Sequence, residues 1–245
     1  MQGATPATPA SAQHSPLQSI LLHLAPGVAI GVFYFLVRDP LLRAGFPPLF
    51  ALMIAVPIVL VPVELGILLV EGRRRTGRLS IRGVVGYTSP VPWWQVALWS
   101  LGVFVVTGAI FTAMSPVDTF LQERVFAWIP PLVSGLDGGF DRNSLVVTYL
   151  AVAIFGAIVG PVVEELYFRG YLLPRMRGRA APVWHSLLFA AYHVFTPWMI
   201  VTRTIGLLPL VYAVRKKNIL VGIIAHVLVN SVDVVVGFAA IAAMG

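Results

Sequence analysis

The sequence of 245 residues predicts an all-α fold, a polytopic integral membrane helical bundle of about seven transmembrane helices, with six to eight as the range. Two global observations carry this. Hydrophobic residues make up 58% of the chain and charged ones 11%, whereas a soluble domain needs roughly 25% charged residues to coat its surface. The mean hydropathy is +0.87, and seven crossings at about 20 apolar residues each would use about 140 positions. The remainder suffices for connections and tails but not for a separate soluble domain.

Residues 1–16 contain no Lys, Arg, Asp or Glu and are rich in Ala, Pro, Thr and Ser, so they are expected to form a disordered N-terminal tail. Residues 17–245 then form a single membrane domain. The first apolar stretch, 17–37, has no basic region before it and is expected to be a retained helix rather than a cleaved signal. Crossings follow at 49–70, 93–115, 144–172, 183–198, 204–214 and 219–243, the sixth being short for a full span. Within 116–143, residues 120–129 are expected to form an amphipathic helix at the interface, before a Gly-rich turn.

Charge fixes an orientation. Eleven Lys and Arg residues lie in the connections after the second and fourth helices and before the seventh, among them Arg73, Arg78, Arg175 and Lys217. Five lie on the other side: Arg38, Arg43, Arg124, Arg142 and Arg203. Because basic residues accumulate on the cytoplasmic face, the N-terminus is expected inside and the C-terminus outside, with a bacterial plasma membrane as the preferred location. The same rule accounts for the net charge of +7 without a nucleic-acid partner. The lipid bilayer is the expected partner, and oligomeric state has no reading here. With no cysteine, disulfides, thiolate metal sites and a cysteine nucleophile are excluded.

An ionisable side chain inside a spanning helix costs about 3 kcal/mol on insertion scales, so each requires a partner or a purpose. Helix four carries Glu164, Glu165 and Arg169. Glu165 and Arg169 are four apart on one face and suited to a neutralising pair, whereas Glu164 points about 100° away and is left as a candidate general base. Gly156 and Gly160, followed by Pro161, allow close approach of a neighbouring helix and a bend beside the acids. Helix five carries His185 and His193, with Phe189 four before the latter. Helix seven presents His226 and Asn230 on one face, with Asp233 nearly in line as an expected packing or orienting partner for the histidine. At 1.5 Å per residue, Glu164, His193 and His226 all fall roughly 10–15 Å above the basic ends of their helices, in one layer. Glu64 of helix two falls there too, either lining a cavity or paired with an arginine.

A carboxylate beside an imidazole can deprotonate a water, while a second imidazole and a carboxamide can hold the oxyanion formed from a peptide carbonyl. The layer thus has the parts of a water-activating hydrolase. The His-Glu-x-x-His, Gly-x-Gly-Asp and Gly-x-Ser-x-Gly patterns of other intramembrane proteases are absent. Two histidines and a glutamate are also suitable zinc ligands, and spacing across three helices leaves metal and metal-free chemistry both open.

These residues carry a resemblance. Glu164 to Arg169 matches Glu-Glu-x-x-x-Arg, Phe189 to His193 matches Phe-x-x-x-His, and His226 to Asn230 matches His-x-x-x-Asn. The three motifs, in this order, resemble the CAAX protease and bacteriocin-processing family of intramembrane endopeptidases, also called the Abi family, over roughly residues 144–235. The resemblance implies that Glu164 is the water-activating base assisted by His193, that His226 and Asn230 stabilise the oxyanion, and that Glu165 and Arg169 support them. It implies no required cofactor in the favoured reading, with zinc on Glu164, His193 and His226 as the metal-dependent version. The expected substrate is a membrane-associated peptide or protein tail, reached through a polar cavity opening toward the basic, cytoplasmic side. The alternatives are a non-catalytic partner-binding or immunity protein and a transporter using the same groups as a proton relay.

Overall fold

The computed structural model describes residues 13–132, 134–137 and 139–244. They fold as an all-helical bundle: α1 (Pro16–Arg43), α2 (Pro48–Thr76), α3 (Trp93–Val125), α4 (Arg142–Arg175), α5 (Ala181–Tyr192), α6 (Pro197–Gly206), α7 (Leu208–Lys216) and α8 (Ile219–Ala243). Among the described residues, five helices (α1, α2, α3, α4 and α8) are long and apolar enough to cross a membrane. The pair α6 and α7, bent by 40°, makes a sixth. The expected crossing at 183–198 is not a continuous span: α5 stops at Tyr192, and its 12 residues reach about 18 Å. About seven is therefore an approximate count, beside five or six candidate spans among the described residues.

Helix starts follow local chemistry. Ser15 caps α1 by accepting from the Gln18 amide at 3.1 Å, with Pro16 in the first turn where its missing N–H is no loss. The expected N-terminal tail thus ends inside the fold at its last positions, and residues 1–12 lie outside the described residues. Asp141 caps α4 by accepting from the Asn143 and Ser144 amides at 2.9 and 3.1 Å. The Ser144 hydroxyl, donating to Asp141 at 2.5 Å, is the main cause holding that carboxyl below its usual range. Asn218 caps α8 through the Leu220 amide at 2.7 Å. The expected interfacial helix at 120–129 is not a separate element: residues up to Val125 continue α3, and 126–129 form a turn. Its amphipathic pattern is that of an exposed helix end, with Trp128 78% exposed.

Apolar side chains on the bundle exterior, such as Leu21, Phe35, Leu101, Val105 and Val235, remain exposed as a lipid-facing surface requires. Exposed Trp93, Trp94 and Trp184 lie near one end of the bundle and Trp128 near the other, the positions of interfacial belts. All three basic connections meet at one end. The 77–92 connection reaches α4 through the Gly86 amide donating to Gly170, and reaches the start of α8 through the Ile219 amide donating to Tyr87 and the Asn218 amide donating to Ser89. The Arg175 guanidinium donates to the Val84 carbonyl, and the His14 amide donates to the Arg175 carbonyl at 3.0 Å. That end is called the basic face below.

Two apolar clusters hold the bundle: one joins α1, α2, α4 and α5, the other the basic-face halves of α3, α7 and α8. Along α8, Ile219 to Ala225 belong to the second cluster and Ile241 to the first. His226 and Asn230 fall between them.

Candidate active site

Helix α4 is not regular where it carries its charges. Pro161 cannot donate to the carbonyl four residues back, and its ring crowds that carbonyl. The helix accommodates this with π-helical turns over Val152–Val159 and again over Glu165–Leu172, flanking a single α-turn at Gly160–Glu164. The expected close approach beside the acids is present: a Cβ on Gly156 would lie 2.8 Å from the Met53 sulfur of α2. The Gly156 carbonyl accepts from Asn230 Nδ2 of α8 at 2.9 Å.

Glu165 and Arg169 are both fully buried and form the expected ion pair, 3.1 Å between Oε1 and an Arg169 terminal nitrogen. The pair does more than neutralise itself. His226 Nδ1 donates to the same Glu165 oxygen at 2.9 Å, and His226 Nε2 stands 3.8 Å from Glu164 Oε2. One imidazole therefore bridges both glutamates of the motif. Asp233 was the expected orienting partner of His226. It is instead exposed two turns further along α8, and Glu165 orients the ring.

His193 is not within a helix. It is the C-cap of α5, with φ −79° and ψ 59°, and its Nδ1 donates to the Phe189 carbonyl at 2.9 Å. A carbonyl can only accept, so this bond places the Nδ1 proton and leaves Nε2 with a lone pair. Phe189 ties the motifs together. Its ring carries the Arg169 guanidinium 3.9 Å from the centroid, and it meets the His193 and His226 rings edge-on at 5.0 and 6.3 Å.

Three further groups belong to this layer. Glu64 of α2 is fully buried, beside Glu164 and the Tyr192 phenol; it neither lines the cavity nor forms an ion pair with an arginine. Arg203 was expected in an outer connection but sits in α6 and lines the cavity, one nitrogen donating to the Thr196 hydroxyl at 2.8 Å. The spacing placed it between two crossings, and only the break at 193–199 brings it to this depth. His185 is separate: fully buried, it hydrogen-bonds His23 of α1 at 3.0 Å. His23, four residues after Ser19 on α1, was missed in the sequence because a lone helical histidine gives no signal.

Glu164, His193, His226 and Asn230 all line one cavity of about 760 Å³. Its other walls are mainly apolar and include Met53, Phe104, Phe111, Leu132, Phe155 and Val236. The expected direction of this cavity is overturned. Its lining climbs from Glu164 to Tyr149 on α4 and from His226 to Val236 on α8, and includes Leu49, Leu132, Ser134 and Leu136, all on the way to the face opposite the basic one. Toward the basic face the space is filled by Tyr167, Phe168, Arg169 and Leu172, each 0% exposed, and closed by the 77–92 connection.

The zinc alternative fits this arrangement poorly. Among the described residues no three His, Asp or Glu side chains are grouped as a shared ion requires.

Residues 146–232 match the family model described as Type II CAAX prenyl endopeptidase Rce1-like. No curated protein and no solved structure matches the chain. The matched stretch contains Glu164, Glu165, Arg169, His193, His226 and Asn230, and leaves out Glu64 and Asp233. The protein is an integral membrane chain in which residues 146–232 are similar to the Rce1-like CAAX endopeptidases, consistent with the CAAX protease and bacteriocin-processing family that its three motifs resemble.

Proposed function

We propose that the protein hydrolyses a peptide bond of a membrane-associated peptide or protein tail, with Glu164 as the base that deprotonates the attacking water. The observation that carries this is the convergence of Glu164, His193, His226 and Asn230 on one cavity, from three separate helical segments. His193 Nε2 is free to accept the second water hydrogen and orient the nucleophile, because Nδ1 is committed to Phe189. Asn230 spends one amide hydrogen on Gly156 and keeps the other for the oxyanion. His226 is held by Glu165 through Nδ1 and turns its Nε2 side toward Glu164 and the carbonyl oxygen. With Arg169, the imidazole and the two glutamates make one four-group cluster. The water proton taken by Glu164 passes to the leaving nitrogen, which returns the carboxylate to its starting state.

The basic face is assigned to the cytoplasm by the positive-inside rule, with a bacterial plasma membrane as the preferred setting. The test is cleavage of a library of membrane-tethered peptides by the purified protein, with Glu164→Gln and His193→Ala beside it and chelator in parallel. Loss of cleavage in both variants with chelator resistance is the expected result. Chelator sensitivity reversed by zinc would move these side chains into ligand roles, and undiminished cleavage by the variants would favour a partner-binding protein.

A further inference from the structure

We infer that the substrate enters from the face opposite the basic connections, and that the protein therefore acts on membrane-anchored polypeptides whose scissile segment is displayed on that other, non-cytoplasmic face. The inference rests on the proteolytic reading above and adds to it the side and character of the substrate.

The argument is one of filled and empty space. From Glu164 to Arg175, α4 descends about 16 Å to the basic face. Along that descent Tyr167, Phe168, Arg169 and Leu172 are completely buried, and Arg175 is nearly so at 2%. The connection that follows α2 is tied across this end, with the Gly86 amide on Gly170 and the Arg175 guanidinium on Val84. His14 packs edge-on against Tyr171 at 5.6 Å and closes the remaining corner. A peptide approaching from the basic face would have to displace all of these.

In the other direction the path is open. Val229, Asn230, Val232, Asp233 and Val236 of α8 line the cavity over about 15 Å beyond His226. The last of these is 55% exposed. Thr112 of α3 and Asp233 are also exposed, so the mouth lies between the outer halves of α3 and α8, beside Leu132, Ser134 and Leu136. Apolar walls leading to a polar floor suit an extended, largely apolar segment, whose backbone groups must be satisfied inside the protein once out of water.

The absence of native cysteine makes the test direct. Arg78→Cys in the basic connection, Val229→Cys at the level of the site and Val236→Cys at the mouth are made singly in oriented vesicles of either sidedness. Each is then exposed to a membrane-impermeant thiol reagent. Labelling of Val229→Cys and Val236→Cys from the face opposite to that of Arg78→Cys is expected. Labelling of Val229→Cys from the Arg78 face, or from neither face, would overturn the inference. In a second arm, one tail sequence is presented on either face of vesicles containing the protein, with Glu164→Gln as control. Cleavage confined to the face opposite Arg78 supports the inference, and cleavage confined to the Arg78 face overturns it. If neither presentation is cut, the proteolytic reading fails while the labelling result still decides the side of access.

Discussion

Glu165 Oε1 receives the His226 Nδ1 proton at 2.9 Å while also lying 3.1 Å from Arg169, so one buried carboxylate oxygen links α4 to α8 and sets the imidazole's direction. The second glutamate of the motif is thus the orienting partner of the histidine. It leaves Nε2, and not Nδ1, facing Glu164.

Glu165→Gln should therefore fail in two distinct ways. Removing the charge strands Arg169, which is fully buried, and breaking such a pair costs about 3–5 kcal/mol. It also weakens the hold on the His226 proton. The double variant Glu165→Gln with Arg169→Met should recover most of the stability, since no buried cation remains unpaired, yet stay impaired in peptide hydrolysis. Thermal unfolding in detergent beside cleavage rates separates the two effects. Recovery of both by the double variant would show that Glu165 matters only as Arg169's counter-ion.

Asn230→Ala tests the oxyanion role with little structural cost, because the residue is only half buried and its one bond is to the Gly156 carbonyl. Loss of a single oxyanion donor lowers kcat about 10²- to 10³-fold in well-studied hydrolases. The expected signature is a fall in kcat with KM nearly unchanged. A rise in KM alone would make Asn230 a substrate-binding residue.

The chemistry was more legible in the sequence than the path to it. Charges are so rare in the apolar stretches that Glu164, Arg169, His193 and His226 stood out at once, and the i, i+4 spacings of Glu165 with Arg169 and His226 with Asn230 are local geometry. Two kinds of information were not local. The cavity's direction depends on which side of Glu164 is packed, and an aromatic such as Phe168 reads the same whether it plugs a channel or faces lipid. The helix break at His193 likewise has no glycine to mark it; Pro197, four residues on, is the nearest punctuation. Reading 183–198 as one span therefore hid both the capping geometry of His193 and the depth of Arg203.

The N-terminal contact should be sensitive to pH. His14 lies outside the spanning segments, and its pKa is held below the ordinary value of 6.5, first by burial and then by the Arg175 charge, with Arg75 acting in the same sense and Glu71 against it. The folded state thus favours the neutral ring. A group whose folded pKa is depressed leaves stability intact above its unfolded value, and here the docked state loses ground as pH falls below about 6.5. Limited proteolysis near residue 14 should accelerate between pH 7.5 and about 5.5 in the wild type, and His14→Phe should flatten that dependence. An equal pH dependence in both would place the titrating group elsewhere.

The last prediction concerns Gly222, one helical turn before His226 and therefore on the same side of α8. A Cβ built there would lie 2.7 Å from Glu165 Oε2 and 2.6 Å from a Val214 methyl. The absence of a side chain is what lets α8 come close enough for His226 to reach Glu165. Two things must give way if one is added, and they differ in kind. The valine methyl can shift by rotation, but the carboxylate is already fixed by Arg169 and His226. Gly222→Ala should therefore displace Glu165 and misdirect the imidazole, lowering hydrolysis at least about tenfold, since a small misplacement of a catalytic group costs far more in rate than in stability. Gly222→Val should overpack the interface by about 1–3 kcal/mol as well and lower the unfolding temperature. Val214→Ala, combined with Gly222→Ala, makes room on one side only. If that pair restores activity, the valine contact was the obstacle and Glu165 is less firmly held than its two partners imply; continued loss of activity with restored stability would place the damage at the carboxylate.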